Sequence, residues 1–203
     1  DEILGAASCT TNAIVPTLKV LNDEFDIQSG HIESVHSYTN DQNLIDNFHK
    51  KVRRGRSAAL NMVITETGAG KAVGQVLPEL QGKLTANAVR VPTPNVSLAI
   101  INLRFAKDIT LEELNDFLRQ KAFHSDLKEQ IGFTNSPEVV STDFVGDRHA
   151  GIIDSAATIV NGNKCVLYVW YDNEFGYTAQ LLGLAKEMVG LTYQRYPNFS
   201  EST

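Results

Sequence analysis

The chain has 203 residues, of which 42% are hydrophobic and 21% charged, as in an ordinary globular fold rather than a disordered segment. Its net charge of -6 argues against a general nucleic-acid binder, because such binding draws on many Lys and Arg contacts to phosphate. The two cysteines form no CxxC pair, and no apolar run approaches the roughly 20 residues that span a bilayer. The sequence therefore predicts a reduced, cytoplasmic protein with neither a membrane segment nor a metal site.

The first predicted element is a helix from about Ser8 to Glu24. Its apolar residues recur at spacings of four, three and four, which makes one buried stripe: Ile14, Leu18, Leu21 and Phe25. Pro16 lies inside this pattern and predicts a kink or a later start of the regular helix. A strand over His31–Tyr38 follows, and then a long polar loop to about Asn61, which carries the basic cluster Lys50–Arg56.

The middle of the chain is predicted to contain strands, with helices grouped between them. Thr110 to Glu113 is a capping box, which predicts a helix with Leu111, Leu114 and Leu118 on one face. Asn161-Gly162-Asn163 is typical of the turn of an antiparallel hairpin. A second, short helix is predicted over Asp126–Ile131. The predicted strands are Val89–Pro92, Val96–Phe105, Glu138–Phe144, Ser155–Val160 and Lys164–Tyr171.

The last predicted element is a helix over Phe175–Val189, whose apolar residues cover more than one face. Two interpretations stay open: a core helix, or a helix that docks on a further domain. The element order shows no βαβα alternation, and the chain has no glycine-rich dinucleotide fingerprint. We therefore predict an α+β fold with two layers, a mixed but largely antiparallel sheet that carries its helices on one face.

The stretch around Cys9 is the most informative for chemistry. Small and hydroxyl residues surround a cysteine in the first turn of a helix, where unpaired backbone N–H groups favour an anion. This position predicts a lowered thiol pKa, a stronger nucleophile and donors for an oxyanion. The alternative is that Ser8 merely caps the helix and that Cys9 is a buried, inert core residue.

A nucleophilic cysteine needs a base, and His36 is the best candidate. It lies in the strand predicted after the first helix, so it can reach Cys9 if the strand end packs beside the helix start. A Cys–His pair supports chemistry at a carbonyl carbon. The alternative is a structural histidine that is satisfied within its strand.

Five segments, in the same order, resemble the phosphorylating glyceraldehyde-3-phosphate dehydrogenase family. The first is similar to that family's active-site signature, and the resemblance covers nearly the whole chain. The segments are Ala7-Ser8-Cys9-Thr10-Thr11-Asn12, Thr67 to Gly74, Arg90 to Val96, Ser141 to Phe144 and Trp170 to Tyr177.

The resemblance implies a role for each matching residue. Cys9 would attack an aldehyde, His36 would act as the base, and a thioester on Cys9 would then be cleaved by inorganic phosphate. Asn173 would orient the nicotinamide amide of NAD or NADP, with Tyr177 beside it. The other matching residues fall into three sets: Thr39, Asp41 and Arg90 for the substrate phosphate; Ser8, Thr10, Thr67 and Gly68 for inorganic phosphate; and Arg54 for either phosphate.

The resemblance also implies how the chain is organised. Residues 1–172 would form the catalytic domain, and residues 173–203 a helix and tail that dock on an NAD-binding Rossmann domain, which this sequence lacks. The full-length protein would be a homotetramer that acts on a sugar phosphate, with no nucleic acid and no membrane as partner. Its reaction would convert glyceraldehyde 3-phosphate to 1,3-bisphosphoglycerate.

Three competing hypotheses remain at this point. The loop after His36 partly resembles that of erythrose-4-phosphate dehydrogenases, whereas the Thr67-Gly68 segment resembles the glyceraldehyde branch. A thiol hydrolase would use the same Cys–His pair but would need no phosphate sites. A non-catalytic assembly module would account for the wide apolar face of the last helix.

Overall fold

The computed structural model describes residues 4–191 and begins with a helix, α1, that spans Cys9–Phe25. Ser8 caps it, since its hydroxyl accepts a hydrogen bond from the Thr11 backbone N–H at 3.1 Å. The predicted apolar stripe is confirmed, and Leu18 and Leu21 are fully buried. The helix continues through Pro16, which is itself buried, so its regular part does not start late.

Eight strands of the described residues form one mixed sheet. Their spatial order is β2-β3-β1-β4-β8-β6-β5, and β7 pairs with β8. The pairs β1–β3 and β5–β6 are parallel and the other five are antiparallel, which confirms the predicted sheet type. The strands are β1 Ile27–Ser37, β2 Val63–Thr65, β3 Leu84–Val91, β4 Ser97–Phe105, β5 Ile131–Thr134, β6 Gly151–Asp154, β7 Ile159–Asn161 and β8 Lys164–Tyr171.

Three helices cover one face of this sheet: α1, α2 (Ala69–Val76) and α3 (Leu111–His124). Leu18, Val73 and Leu114 of these helices belong to one buried cluster with alternate residues of the central strands, such as Ile101 and Leu167. Burial of these apolar side chains is the main stabilising term of such a layer. The predicted two-layer α+β architecture is therefore confirmed.

Several local predictions are also confirmed. Thr110 accepts a hydrogen bond from the Glu113 N–H at 3.1 Å, and the Glu113 carboxylate accepts from the Thr110 N–H, so the capping box is formed. Strand β8 has the predicted bounds. It pairs with β7 across the turn at Gly162, whose φ of 59° lies in the left-handed region.

The predictions for residues 126–160 are mostly wrong. Residues 126–130 form turns that lead into β5 instead of a helix, and the segment 138–144 ends in a short 3-10 helix, Ser141–Phe144, instead of a strand. The long-range contact there is a stacked pair of rings, Phe144 and Trp170, with centroids 5.6 Å apart. Of the strand predicted over 155–160, residues 159–160 are extended, as the start of β7, whereas residues 155–158 form the turn after β6, in which the Asp154 carboxylate accepts from the Ala157 N–H.

Four elements extend or add to the prediction. Strand β1 begins at Ile27, β3 begins at Leu84 instead of Val89, and β2 and α2 were not predicted. In the first half of β3, Leu84 and Ala86 pack against the buried cluster and alternate with the polar Thr85 and Asn87, a pattern too short to predict a strand. The parallel pairing of β3 with β1, from Gly30 opposite Leu84 to Ser37 opposite Val91, supplies the order that its composition does not indicate.

The last helix, α4 (Phe175–Met188), is not a core helix. Gly176 is its one buried residue, whereas Phe175, Leu182 and Met188 are 51%, 54% and 51% exposed. Gly176 is required by close packing, because a Cβ there would lie 2.7 Å from the His149 carbonyl oxygen. The interpretation as a docking helix stays a prediction, and residues 192–203 of the predicted tail lie outside the described residues.

Candidate active site

The first turn of α1 and the end of β1 meet, and this brings Cys9 and His36 together. The Cys9 Sγ and the His36 Nε2 are 3.5 Å apart, within the range of a sulfur hydrogen bond. Cys9 is partly buried and His36 is buried, so the pair lies just beneath the surface of the domain. The geometry therefore allows direct proton transfer between the thiol and the imidazole.

The other ring nitrogen of His36 is held by two neighbours. Its Nδ1 lies 2.8 Å from the Ser37 carbonyl oxygen and 2.6 Å from the Arg90 Nη1. Arg90 also donates to the Ser37 carbonyl at 3.0 Å, and the β1–β3 register places it opposite His36. Arg90 can only donate, so it bonds Nδ1 when that nitrogen is unprotonated; in the other tautomer Nδ1–H donates to the Ser37 carbonyl, and Nε2 then faces the sulfur as an acceptor.

The prediction of a lowered thiol pKa is wrong for this domain by itself. Burial raises the pKa of the Cys9 thiol above its ordinary value, although the Thr10 N–H and hydroxyl and the Arg90 charge act in the opposite direction. Burial, followed by the Arg90 charge, lowers the pKa of His36 to about 4. Both groups are therefore neutral at pH 7, and desolvation outweighs the helix N–H groups on which the sequence argument relied.

Tyr171 lies directly behind the pair. Its hydroxyl is within hydrogen-bonding distance of the Thr10 Oγ1, at 3.0 Å, and of the Ser34 Oγ, at 2.7 Å. Its ring meets that of His36 edge to face, with centroids 6.0 Å apart. Burial, together with the charge of the Cys9 thiolate, raises the pKa of Tyr171 to about 12, so the phenol stays protonated. Tyr171 thus links α1, β1 and β8 beneath the cysteine.

Asn173 follows β8 and is tied to the residue after His36. Its Oδ1 accepts hydrogen bonds from the Ser37 Oγ at 2.8 Å and from the Ser97 Oγ at 2.9 Å. The neighbouring Asp172 carboxylate accepts from the backbone N–H groups of residues 174 and 175 and so caps α4. Tyr177 donates to the Ala7 carbonyl at 3.3 Å, which connects α4 to the chain before α1.

The predicted phosphate ligands form two hydrogen-bonded groups, although burial, and after it the Arg54 charge of one group, lowers the pKa of Arg90 in the other. Asp41 of the loop forms an ion pair with Arg54, whose Nε also donates to the Thr65 Oγ1 at 2.9 Å. Arg54 and Thr67 line a shared groove of about 750 Å³. Thr39 begins this loop, and its carbonyl accepts from the Gln42 N–H. Arg90, by contrast, contacts His36.

The other predicted phosphate ligands make local contacts. The Thr67 Oγ1 accepts from the Ala69 N–H at 3.2 Å, and Gly68, at the start of α2, is exposed. The Ser8 hydroxyl caps α1, and the Thr10 hydroxyl points to Tyr171. Of the eight predicted phosphate ligands, Arg90 is the one that the described hydrogen bonds connect to His36. The roles of all eight stay predictions.

The sequence argument did not single out Ser37, Ser97 and Tyr171. Ser37 and Tyr171 were visible as neighbours in sequence of His36 and Asn173, but nothing in the strand pattern indicates which hydroxyls meet. Cys165, the other cysteine, lies in β8 and is 2% exposed. Burial raises its pKa to about 12, so Cys9 is the one thiol of the described residues with access to solvent.

The described residues contain neither a metal cluster nor a helix that could span a membrane. No three His, Cys, Asp or Glu side chains among residues 4–191 lie close enough together to hold a metal ion. None of the helices in that range combines the length and the apolarity that a membrane span requires.

Comparison with known proteins gives a consistent result. Residues 8–173 match the family model described as glyceraldehyde 3-phosphate dehydrogenase, C-terminal domain. A glyceraldehyde-3-phosphate dehydrogenase-like protein of Pseudomonas aeruginosa (strain UCBPP-PA14) is 64% identical over 97% of this chain and 43% of its own length. Glyceraldehyde-3-phosphate dehydrogenase 1 of Bacillus subtilis (strain 168) is 46% identical over 91% of this chain and 55% of its own. The chain thus spans about half the length of these relatives.

Proposed function

The chain belongs to the glyceraldehyde-3-phosphate dehydrogenase family, whose C-terminal domain it carries, and from this membership we propose that it is the catalytic part of a phosphorylating aldehyde dehydrogenase. Its substrate is glyceraldehyde 3-phosphate, and its product is the acyl phosphate 1,3-bisphosphoglycerate. The observation that carries the proposal is the 3.5 Å approach of the Cys9 Sγ to the His36 Nε2 at a helix N-terminus.

The first step is attack of the Cys9 sulfur on the aldehyde carbon. Because the thiol and the imidazole are both neutral at pH 7, the thiol proton passes to the His36 Nε2 as the C–S bond forms. The N–H groups at the start of α1, which already act on the sulfur, stabilise the developing oxyanion. The imidazolium then returns this proton to the oxyanion, which yields the hemithioacetal and leaves His36 neutral for the next step.

The next two steps convert the hemithioacetal to product. NAD or NADP, when bound, supplies the hydride acceptor. As the hydride leaves the carbon, His36 takes the hydroxyl proton and the carbon becomes a thioester on Cys9. An oxygen of inorganic phosphate then attacks the thioester carbon, and the C–S bond breaks to release the acyl phosphate and the Cys9 thiolate.

Arg90 connects substrate binding to the base. Its planar guanidinium suits phosphate oxygens, and it lies 2.6 Å from the His36 Nδ1. Its positive charge contributes to the low pKa of His36. A phosphate dianion at Arg90 would offset that charge, so binding of the correct substrate makes His36 a stronger base.

The residues of this domain suit one end of the cofactor, the nicotinamide. Asn173 presents an amide that is bonded to Ser37, the residue after His36, and an amide suits the carboxamide of a nicotinamide. The rest of the dinucleotide requires a second domain, for which the relatives' lengths leave room. We propose that the exposed apolar side chains of α4 dock on that domain, and that residues 173–203 form the docking segment.

The loop over residues 38–62 supports a proposal about assembly. It holds the apolar side chains Ile45, Phe48, Val52, Leu60 and Met62, each at least three-quarters exposed. Such a patch is typical of a protein interface. We propose that the full-length protein is a homotetramer that covers this loop, which light scattering of the full-length protein tests.

The enzymatic proposal is tested with the full-length gene product. We expect reduction of NAD or NADP that requires both glyceraldehyde 3-phosphate and inorganic phosphate. Without phosphate, mass spectrometry of the peptide that contains Cys9 should detect the acyl adduct, and Cys9→Ser should form none. Faster turnover with erythrose 4-phosphate would identify the four-carbon branch instead. Ester hydrolysis without any reduction of the cofactor would instead identify a thiol hydrolase.

A further inference from the structure

Ser37 and Ser97 are two buried serines whose hydroxyls meet at one acceptor. Ser37 is 0% exposed and ends β1, and Ser97 is 1% exposed and begins β4. Both hydroxyls lie within 2.9 Å of the Asn173 Oδ1. Two donors that converge on a single amide oxygen fix the plane and the direction of that amide.

The hydrogen-bond inventory of the two serines determines which end of the amide faces them. The Ser97 Oγ already accepts from the Ser37 backbone N–H at 3.1 Å, and the two hydroxyl oxygens are 3.5 Å apart. Each buried hydroxyl has one hydrogen that needs an acceptor. With Oδ1 toward the serines both hydrogens are satisfied at one acceptor, whereas Nδ2 in that place would add donor hydrogens among hydroxyls that already have donors of their own.

The nitrogen of Asn173 is therefore directed away from the serines. No acceptor for the Nδ2 hydrogens occurs among the hydrogen bonds of residues 4–191, although Asn173 is 9% exposed. Ser37 is also the residue whose carbonyl oxygen lies 2.8 Å from the His36 Nδ1. His36 is the base of the pair, and Ser37 holds the Asn173 amide. Two adjacent residues thus determine where the base and the amide nitrogen lie.

The backbone around Ser97 supports the same conclusion. Val96, the residue before it, has a φ of 65°, which is rare for a β-branched side chain. Asn95 holds this conformation, because its Oδ1 accepts from the Val96 N–H and its Nδ2 donates to the Asp172 carboxylate. Asp172 and Asn173 are adjacent in sequence. The hydrogen bond between Asn95 and Asp172 therefore fixes the backbone beside Ser97 and beside Asn173 together.

We propose that Ser37 and Ser97 are positioning residues that hold the Asn173 amide with its nitrogen outward, as a donor to the carbonyl oxygen of the nicotinamide carboxamide. This inference rests on the proposed function. An amide that was free to flip would offer oxygen and nitrogen alternately, so part of the cofactor-binding energy would be lost. The serines themselves do not touch the cofactor.

The experiment measures dinucleotide binding to the full-length gene product by calorimetry, with Ser37→Ala, Ser97→Ala and Asn173→Ala. We expect each serine variant to weaken NAD binding by about 5–10-fold, the effect of one neutral hydrogen bond. Binding of ADP-ribose, which lacks the nicotinamide, should not change. Ser155→Ala, which removes another buried hydroxyl, from its bond to the Thr134 carbonyl, is the matched control and should alter neither ligand.

Two further arms separate positioning from general damage. In the Asn173→Ala background, Ser37→Ala should cause no additional loss of NAD affinity. The 3-acetylpyridine analogue, which keeps the carbonyl but lacks the NH2 group, should lose the same factor as NAD in the serine variants. Equal weakening of ADP-ribose, or unchanged NAD affinity in both serine variants, would overturn the inference while the proposed function stood. Absence of NAD binding in the unmodified protein would overturn both.

Discussion

The end of the sheet around Cys9 and the loop over residues 38–62 differ in whether this domain alone supplies the partners of their side chains. At the sheet end, hydrogen bonds join Cys9 to His36, His36 to Ser37 and Ser37 to Asn173, and the Tyr171 hydroxyl beneath them is bonded to Thr10 and Ser34. The loop is held by backbone hydrogen bonds such as Asn43 N–H to the Arg54 carbonyl, but its large apolar side chains face solvent.

This difference corresponds to a division of roles. The sheet end holds the reactive groups, whereas the loop holds residues predicted to bind the substrate and partner chains. Strand register and buried hydroxyls fix the sheet-end groups, so the reactive geometry needs no other chain. The loop carries Thr39, Asp41 and Arg54, and its exposed apolar residues indicate that another surface covers it. Each prediction below tests whether one of these regions behaves as described.

The largest expected effect is that of His36→Asn in the full-length protein. Loss of the base should lower kcat/KM for the aldehyde by about 10²–10⁴-fold, because the thiol then has no acceptor for its proton. Steady-state kinetics measures the change. A loss smaller than 10-fold would show that the 3.5 Å contact is not used in catalysis.

The matched control lies on the same strand. His31 is bonded to Thr85 and Asn87 on the other face of the sheet, far along β1 from Cys9. His31→Asn should leave kcat/KM within about twofold of the unmodified enzyme, because it removes a histidine but not the base.

The second prediction concerns stability and pH. The pKa of His36 is about 4 in the folded chain and 6.5 in the unfolded chain, so the unfolded chain binds an extra proton between these values. Stability is therefore retained above pH 6.5 and falls by about 3 kcal/mol as the pH drops to 4. Urea unfolding at a series of pH values measures this slope.

His36→Gln should flatten the slope between pH 6.5 and 4. His149 is the internal control, because Asp147 raises its pKa and its contribution is lost as the pH rises above 6.5. His149→Gln should thus change the profile above pH 6.5 and leave the lower slope intact. An unchanged slope in His36→Gln would mean that His36 is not desolvated.

The third prediction is a moderate loss of stability in Tyr171→Phe. The change leaves the buried hydroxyls of Thr10 and Ser34 without their partner and should cost about 1–3 kcal/mol. Tyr168 is on the opposite face of β8 and is only half-buried. Tyr168→Phe should change the free energy of unfolding by less than about 0.5 kcal/mol. Equal effects would mean that the phenol is not part of the buried network.

The sequence predicted the fold class because its strongest signals are local. The stripe of α1, the capping box at Thr110 and the turn at Gly162 each depend on neighbours in the chain. The segment 126–160 was predicted poorly because its structure depends on distant partners, such as Trp170 for Phe144. Short polar segments contain no period from which such pairings can be read.

The candidate site shows the same limit. Cys9 and His36 could be named because a helix start and a resemblance single them out. Their pKa values could not be predicted, since the desolvation that raises one and lowers the other comes from tertiary packing. The contacts of Ser37 and Ser97 with Asn173 join residues 76 and 136 positions apart in sequence, which no local pattern encodes.

The smallest expected effect is in the loop. Phe48 is 90% exposed, so Phe48→Ser should change the unfolding free energy of this chain by less than about 0.5 kcal/mol. Leu18→Ala, in the buried stripe of α1, should cost about 2–5 kcal/mol in the same urea titration. In the full-length protein, Phe48→Ser should instead weaken assembly, because the proposed tetramer covers this ring. A loss above 1 kcal/mol in this chain would mean that the loop packs against its own domain, and the contrast between the two regions would fail.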